Sequence, residues 1–119
     1  MKGHTISFKN AVAGIVWVAK TQRNFKIHLF LSTLSILGGF FFKISYEEFL
    51  IIGILITVGL VIEIINTAIE EAIDAIHKDW QEAIKIAKDV SAAAMLVFST
   101  GAFTIACVIF IPRIIKLLF

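Results

Sequence analysis

Between Phe49 and Ile62 the chain carries no charged residue and no proline. Residues 63–76 continue the run without a helix breaker, so the whole is long enough to cross a bilayer core, which takes about 20 mainly apolar residues as a helix. Polar side chains then enter at one spacing: Glu63, Asn66, Glu70 and Asp74. At about 100° per residue these four share an arc of roughly 80° on one helix face. A carboxylate inside a span is expensive, about 2.5–3.5 kcal/mol on insertion scales, and marks a functional candidate by default. Glu63 begins a polar stripe that descends toward water.

Composition agrees with a membrane protein. Hydrophobic residues make up 59% of the chain and the mean hydropathy is +0.93. The fold class this predicts is all-α and integral to the membrane, one domain over residues 1–119. The charged residues fall in blocks between long uncharged runs, as loops and span ends do. A formal charge of +2 gives no reason to expect a nucleic-acid partner. Cys107 lies in an apolar run and reads as a small buried hydrophobe.

Residues 7–21 read as an amphipathic surface helix, with Phe8, Val12, Ile15, Val16 and Ala19 at helical spacing and Trp17 beside them. Residues 22–28 form a polar hinge. The first span covers 27–42, with Phe30, Phe40, Phe41 and Phe42 marking a lipid-facing segment. Residues 43–48 read as a short turn, within which Ser45 or Tyr46 begins the next helix, with Glu47 and Glu48 in its first turn. That second span runs over 49–76 and projects into water. After a polar connector (77–81) and a short ramp (82–88), the third span covers 89–112 and stops at Pro112. The small residues Ser91, Ala92, Ala93 and Ala94 allow a neighbouring helix to approach closely, and the polar stripe could dock there.

Lysine and arginine set the orientation. Lys2, Lys9, Lys20, Arg23 and Lys26 precede the first span, and Lys78, Lys85 and Lys88 lie between the second and third, against Lys43, Arg113 and Lys116 on the other side. The heavier set places the N-terminus and the 71–89 segment in the cytoplasm, and the protein in the inner (plasma) membrane as a multi-pass chain. The stripe then faces the leaflet where nucleotides are found.

Glu70 and Asp74, nearest water, are suited to a hard divalent cation such as Mg²⁺, which takes carboxylate and phosphate oxygens together. Lys88 can offset phosphate charge. Glu63, deepest and least hydrated, is a competent general base, and a lipid hydroxyl is its natural client. The same residues also allow metal-assisted hydrolysis of a lipid phosphate, or binding without turnover.

The run Glu63-x-x-Asn66-Thr67-Ala68-Ile69-Glu70, then Asp74, then Ala87-Lys88-Asp89-Val90-Ser91-Ala92-Ala93, resembles the signature of the prokaryotic diacylglycerol kinase family. Ser7-Phe8-Lys9-Asn10-Ala11-x-x-Gly14 and Arg23-Asn24-Phe25-x-Ile27-His28 resemble its undecaprenol-kinase branch. The resemblance implies a homotrimer of chains with a surface helix and three transmembrane helices, sharing active sites. It implies transfer from MgATP to a lipid hydroxyl, with Glu63 as base, Asn66 ordering the site and Glu70 on the metal. Lys88, Asp89 and Asp79 fall on the nucleotide, with Asn10 and Gln81 on the same side, and Phe25 and Ala92 fall on the lipid. Two positions depart from the pattern. Gln22 stands where the family has a metal-binding glutamate, so it offers only a neutral carbonyl oxygen; water, the nucleotide's own oxygens or Asp74 can substitute for the missing carboxylate. Gln81 stands where a histidine is common.

Overall fold

A computed structural model describes residues 2–76 and 81–119, with side chains from Ser7 onward. It holds four helices: α1 (Lys2–Thr21), α2 (Arg23–Phe42), α3 (Tyr46–Ile76) and α4 (Glu82–Leu118). The last three are long and apolar enough to cross a membrane. At 1.5 Å per residue, α3 is about 46 Å and α4 about 55 Å long, against a hydrocarbon core of about 30 Å. Each therefore has a polar extension beyond its apolar run. The molecule measures 56 × 42 × 21 Å.

The break between α1 and α2 is a single residue. Gln22 sits in the β region (φ −99°, ψ 114°); its N–H donates to Val18 O, and its own carbonyl accepts the Lys26 N–H. The expected polar hinge over 22–28 is thus mostly the opening of α2. Polar side chains do not stop a helix, and the stretch has neither glycine nor proline to do so. α1 likewise begins at Lys2, earlier than the expected residue 7.

The α2–α3 corner is built from two interlocking caps. Lys43 takes the left-handed conformation (φ 53°) at the end of α2, and the N–H groups of Lys43 and Ile44 donate to the carbonyls of Phe40 and Gly39. This is a Schellman motif with lysine in glycine's usual place. Glycine is needed instead at 39, where a Cβ would lie 2.7 Å from Phe49 Cε1 and 3.0 Å from Ile44 Cδ1. Then Ser45 caps α3: its Oγ accepts the Glu48 N–H at 3.1 Å, and its N–H donates to Glu48 Oε1 at 2.9 Å. This reciprocal capping box fixes the start of α3 where the sequence expects it.

Helix α4 runs through Pro112 to Leu118, whereas the sequence reading ends it at Pro112. Proline removes the bond to the Val108 carbonyl, yet the next residue holds the turn together. Arg113 Nη1 donates to Ile109 O at 2.7 Å, and the guanidinium also donates to both Glu48 carboxylate oxygens, at 2.7 and 2.9 Å. The 82–88 ramp is simply the first two turns of the same helix.

α3 packs most extensively on α4, then on α2, with α1 touching both α2 and α3. Near the α2–α3 corner the core is Ile44, Ile52 and Ile109, with Phe42, Phe49, Ile56 and Phe110 around it. Phe30, Phe40 and Phe41 face outward as expected of a lipid-facing surface; Phe42 instead turns inward against Phe110. Around the α1–α2 break the buried apolar residues are Val18 and Phe25. Between these two ends the buried residues of α3 and α4 are, Gly59 apart, polar: Glu63, Asn66, Thr67 and Ser91, which form the site.

Candidate active site

α3 carries the expected stripe with a gradient of burial along it. Glu63 is 2% exposed, Asn66 and Thr67 are buried, Glu70 is half-buried and Asp74 exposed. The helix periodicity places the four on one face, and its length carries that face out of the apolar span.

Ser91, the first small residue of α4's close-packing stretch, is buried against that face. Its Oγ donates to Asn66 Oδ1 at 2.6 Å. The docking expected of the 91–94 segment therefore occurs at Ser91, while Ala92 faces outward. One oxygen of Glu63, Oε2, is buried with no hydrogen-bond partner among the described residues. A buried carboxylate oxygen left unpaired is costly and calls for an explanation.

Beyond the apolar spans, Lys88 Nζ meets Asp74 Oδ1 at 2.6 Å, joining α4 to α3. The Asp74 carboxylate holds the Lys88 ammonium above its ordinary range. Asp89 pairs with Lys85 one turn back on its own helix, at 2.7 Å. Asp74 and Lys88 thus come together as an ion pair, while Glu70 forms no salt bridge among the described residues.

The remaining site candidates are placed less tightly. Gln22 is half-buried at the α1–α2 break, and its amide donates to Thr21 Oγ1 at 3.2 Å. Phe25 is buried; Asn10, on α1, and Gln81, the N-cap of α4, are exposed. Asp79 lies outside the described residues. Among the described residues, no three His, Cys, Asp or Glu side chains converge as a metal cluster. The donor set still suits Mg²⁺, which commonly takes one or two carboxylates and completes its shell with phosphate oxygens and water; Glu70 can supply the first.

Sequence reasoning missed two neighbours. Ser91 was read as a small residue, not as the donor to Asn66. His28 falls both in the expected hinge (22–28) and in the expected first span (27–42), with no site role assigned to it; it lies inside α2, where polar residues become sparse. A lone imidazole at the entrance to an apolar helix was the available signal.

Comparison with known proteins agrees with this architecture. The family model described as prokaryotic diacylglycerol kinase matches residues 9–110. The chain is 36% identical over 108 residues to a protein named undecaprenol kinase from Bacillus subtilis (strain 168), covering 91% of this chain and 88% of that one. It is 28% identical over 114 residues to a protein named diacylglycerol kinase from Synechocystis sp. (strain ATCC 27184 / PCC 6803 / Kazusa), covering 95% of this chain and 65% of that one. With its stripe, its docking serine and three helices able to span a membrane, the chain belongs to the prokaryotic diacylglycerol kinase family, a family of lipid kinases.

Proposed function

We propose that the protein transfers the γ-phosphoryl group of ATP to the hydroxyl of a membrane lipid, undecaprenol or diacylglycerol, at the cytoplasmic face of the plasma membrane. The observation that carries this reading is the unpartnered Oε2 of Glu63, buried at the point where α3 turns from apolar to polar. A carboxylate held without a donor is a carboxylate kept for a substrate proton. Glu63 takes the hydroxyl proton, and the lipid oxygen attacks the terminal phosphorus. Asn66, fixed by Ser91, holds the register of the stripe. Lys88 offsets charge on the transferring group, with Asp89, Gln81, Asn10 and Asp79 around the nucleotide. Glu70 would hold Mg²⁺, with Gln22 or Asp74 as further oxygen ligands, and the ion would supply neutralisation of phosphate charge. Phe25 and Ala92 lie on the lipid side. The working form is a homotrimer with sites shared between chains, and α1 lies along the membrane surface.

Labelled MgATP presented with undecaprenol and diacylglycerol in mixed micelles tests this directly. Transfer to either lipid, lost in Glu63→Gln while the oligomer remains intact, is the expected result. Full activity in that variant removes Glu63 as the base. Gln22, neutral where relatives in the family carry a glutamate, favours a second reading: a weakly active or inactive module that binds lipid or nucleotide. Nucleotide binding without transfer to either lipid would select it.

A further inference from the structure

Gly59 lies one turn before Glu63 on the same face of α3. A Cβ there would come within 2.7 Å of Phe98 Cε1 and 3.4 Å of His28 Nδ1. The bare backbone at 59 therefore lets an imidazole from α2 and a ring from α4 close over α3 one turn before the buried carboxylate. His28 and Phe98 lie side by side, with ring centroids 6.4 Å apart. Among the described residues neither nitrogen of His28 has a hydrogen-bond partner. Its ring is held by packing, with its hydrogen-bonding capacity free.

The same two residues also line a cavity of about 230 Å³ between α2, α3 and α4. Its far end is apolar, with Ile52, Ile56 and Phe110. Two of its polar groups are already engaged: Ser35 Oγ donates to Leu31 O, and Ser99 Oγ to Met95 Sδ. The volume lies below the 300–1,000 Å³ typical of sites for whole drug-sized ligands, so it suits a length of one hydrocarbon chain. Of the lining residues, His28 and Ser32 have no side-chain hydrogen bond among the described residues, and His28 is the one that reaches Gly59, one turn before Glu63.

We propose that His28 is a positioning residue for the acceptor lipid, its ring N–H donating to the hydroxyl oxygen and holding it against Oε2 of Glu63. This rests on the reading of Glu63 as the base. In the transfer, the lipid O–H bond breaks and its proton passes to Oε2. A lone pair of that oxygen forms the new bond to the γ-phosphorus, and the bond from that phosphorus to the bridging oxygen breaks to release ADP. His28 stays chemically unchanged and acts on the orientation of the attacking oxygen. Small misplacements of such an atom cost on the order of 10²-fold in rate.

The test compares His28→Gln, which keeps a donor, with His28→Leu, which keeps apolar bulk against Gly59 and Phe98. Equilibrium binding of a tritiated short-chain polyprenyl methyl ether, whose oxygen can accept from His28 but has no proton for Glu63, and of the matching hydrocarbon without that oxygen is measured on the full chain in micelles without nucleotide. Wild type and His28→Gln should prefer the ether to the hydrocarbon, and His28→Leu should bind the two alike. Loss of the preference in both variants, or its retention in His28→Leu, overturns the proposal, as does a wild type without preference. In the kinase assay His28→Leu should lose on the order of 10–100-fold in kcat/KM for lipid, with KM for ATP unchanged and His28→Gln largely rescued. Because the binding arm needs no turnover, failure of the kinase reading and failure of the His28 role give different results.

Discussion

Ser91 Oγ donates to Asn66 Oδ1 across 2.6 Å, and both residues are buried. This bond ties the α3 stripe to α4 midway between Glu63 and Glu70, so it sets the rotation of the face that holds both. Ser91→Ala should destabilise the fold modestly, by about 0.6 kcal/mol and at most about 1.7, the range measured for interhelical hydrogen bonds in membranes. Lipid-kinase activity should fall further than that loss of stability explains, because Asn66 is freed to rotate. Unfolding in mixed micelles alongside kcat separates the two effects. Equal, small losses in both would make the bond structural only.

Glu48 and Arg113 form a second tie, at the other end of the bundle. Glu48 precedes the apolar run that begins at Phe49, and the Arg113 guanidinium, helped by the Ser45 N–H, holds its carboxyl below the ordinary carboxylate value of 4.5. A group whose folded pKa is depressed contributes stability above its unfolded value and loses it as pH falls through the folded one. Wild type should therefore lose stability as the pH drops below about 4.5, and Glu48→Gln should show a shallower loss over that window. Arg113→Leu should also loosen α4 around Pro112, read as faster amide exchange at residues 110–116.

Gly39 is the position where the α2–α3 corner tolerates least. A methyl group there meets Phe49 Cε1 at 2.7 Å and Cζ at 2.9 Å, so Gly39→Ala should cost about 1–3 kcal/mol, as overpacking does. Phe49→Leu in the same chain should recover part of it. Additive losses in the double variant would show that the clash is relieved elsewhere. At Lys43, φ 53° strains an L-residue, and Lys43→Gly should raise stability by about 0.5–1 kcal/mol, the relieved strain being partly offset by a more flexible unfolded chain.

Much of the site was legible because one helix carries it. Glu63, Asn66, Glu70 and Asp74 lie within a single uninterrupted periodicity, so their shared face follows from 3.6 residues per turn. The start of α3 was equally readable from Ser45 and Glu48. What escaped depended on contacts between helices. His28 reaches Gly59, distant in sequence, and Arg113 carries α4 past its proline by gripping Glu48. Phe42 belongs with Phe40 and Phe41 by composition, but about 100° per residue carries it round to Phe110 and the core while its ring still meets Phe41 edge-on. Gln22–His28 was misjudged because polarity alone does not end a helix.

Lys88 and Asp74 bear on the weakest part of the donor set. They pair at 2.6 Å with both side chains substantially exposed, and such a pair is easily opened. A triphosphate arriving at Lys88 can displace Asp74, which is then free to serve the metal in place of the carboxylate that Gln22 lacks. Two variants test the exchange. Gln22→Glu should lower the Mg²⁺ concentration needed for half-maximal transfer, and in that background Asp74→Asn should become nearly silent. In the native background Asp74→Asn should instead raise the Mg²⁺ requirement, while nucleotide binding without metal holds or improves because Lys88 has lost its competitor. These are measured as Mg²⁺ titrations of transfer and as fluorescent-nucleotide binding in EDTA. Weaker metal-free nucleotide binding by Asp74→Asn would mean that the carboxylate steadies Lys88 for the phosphate instead of competing with it.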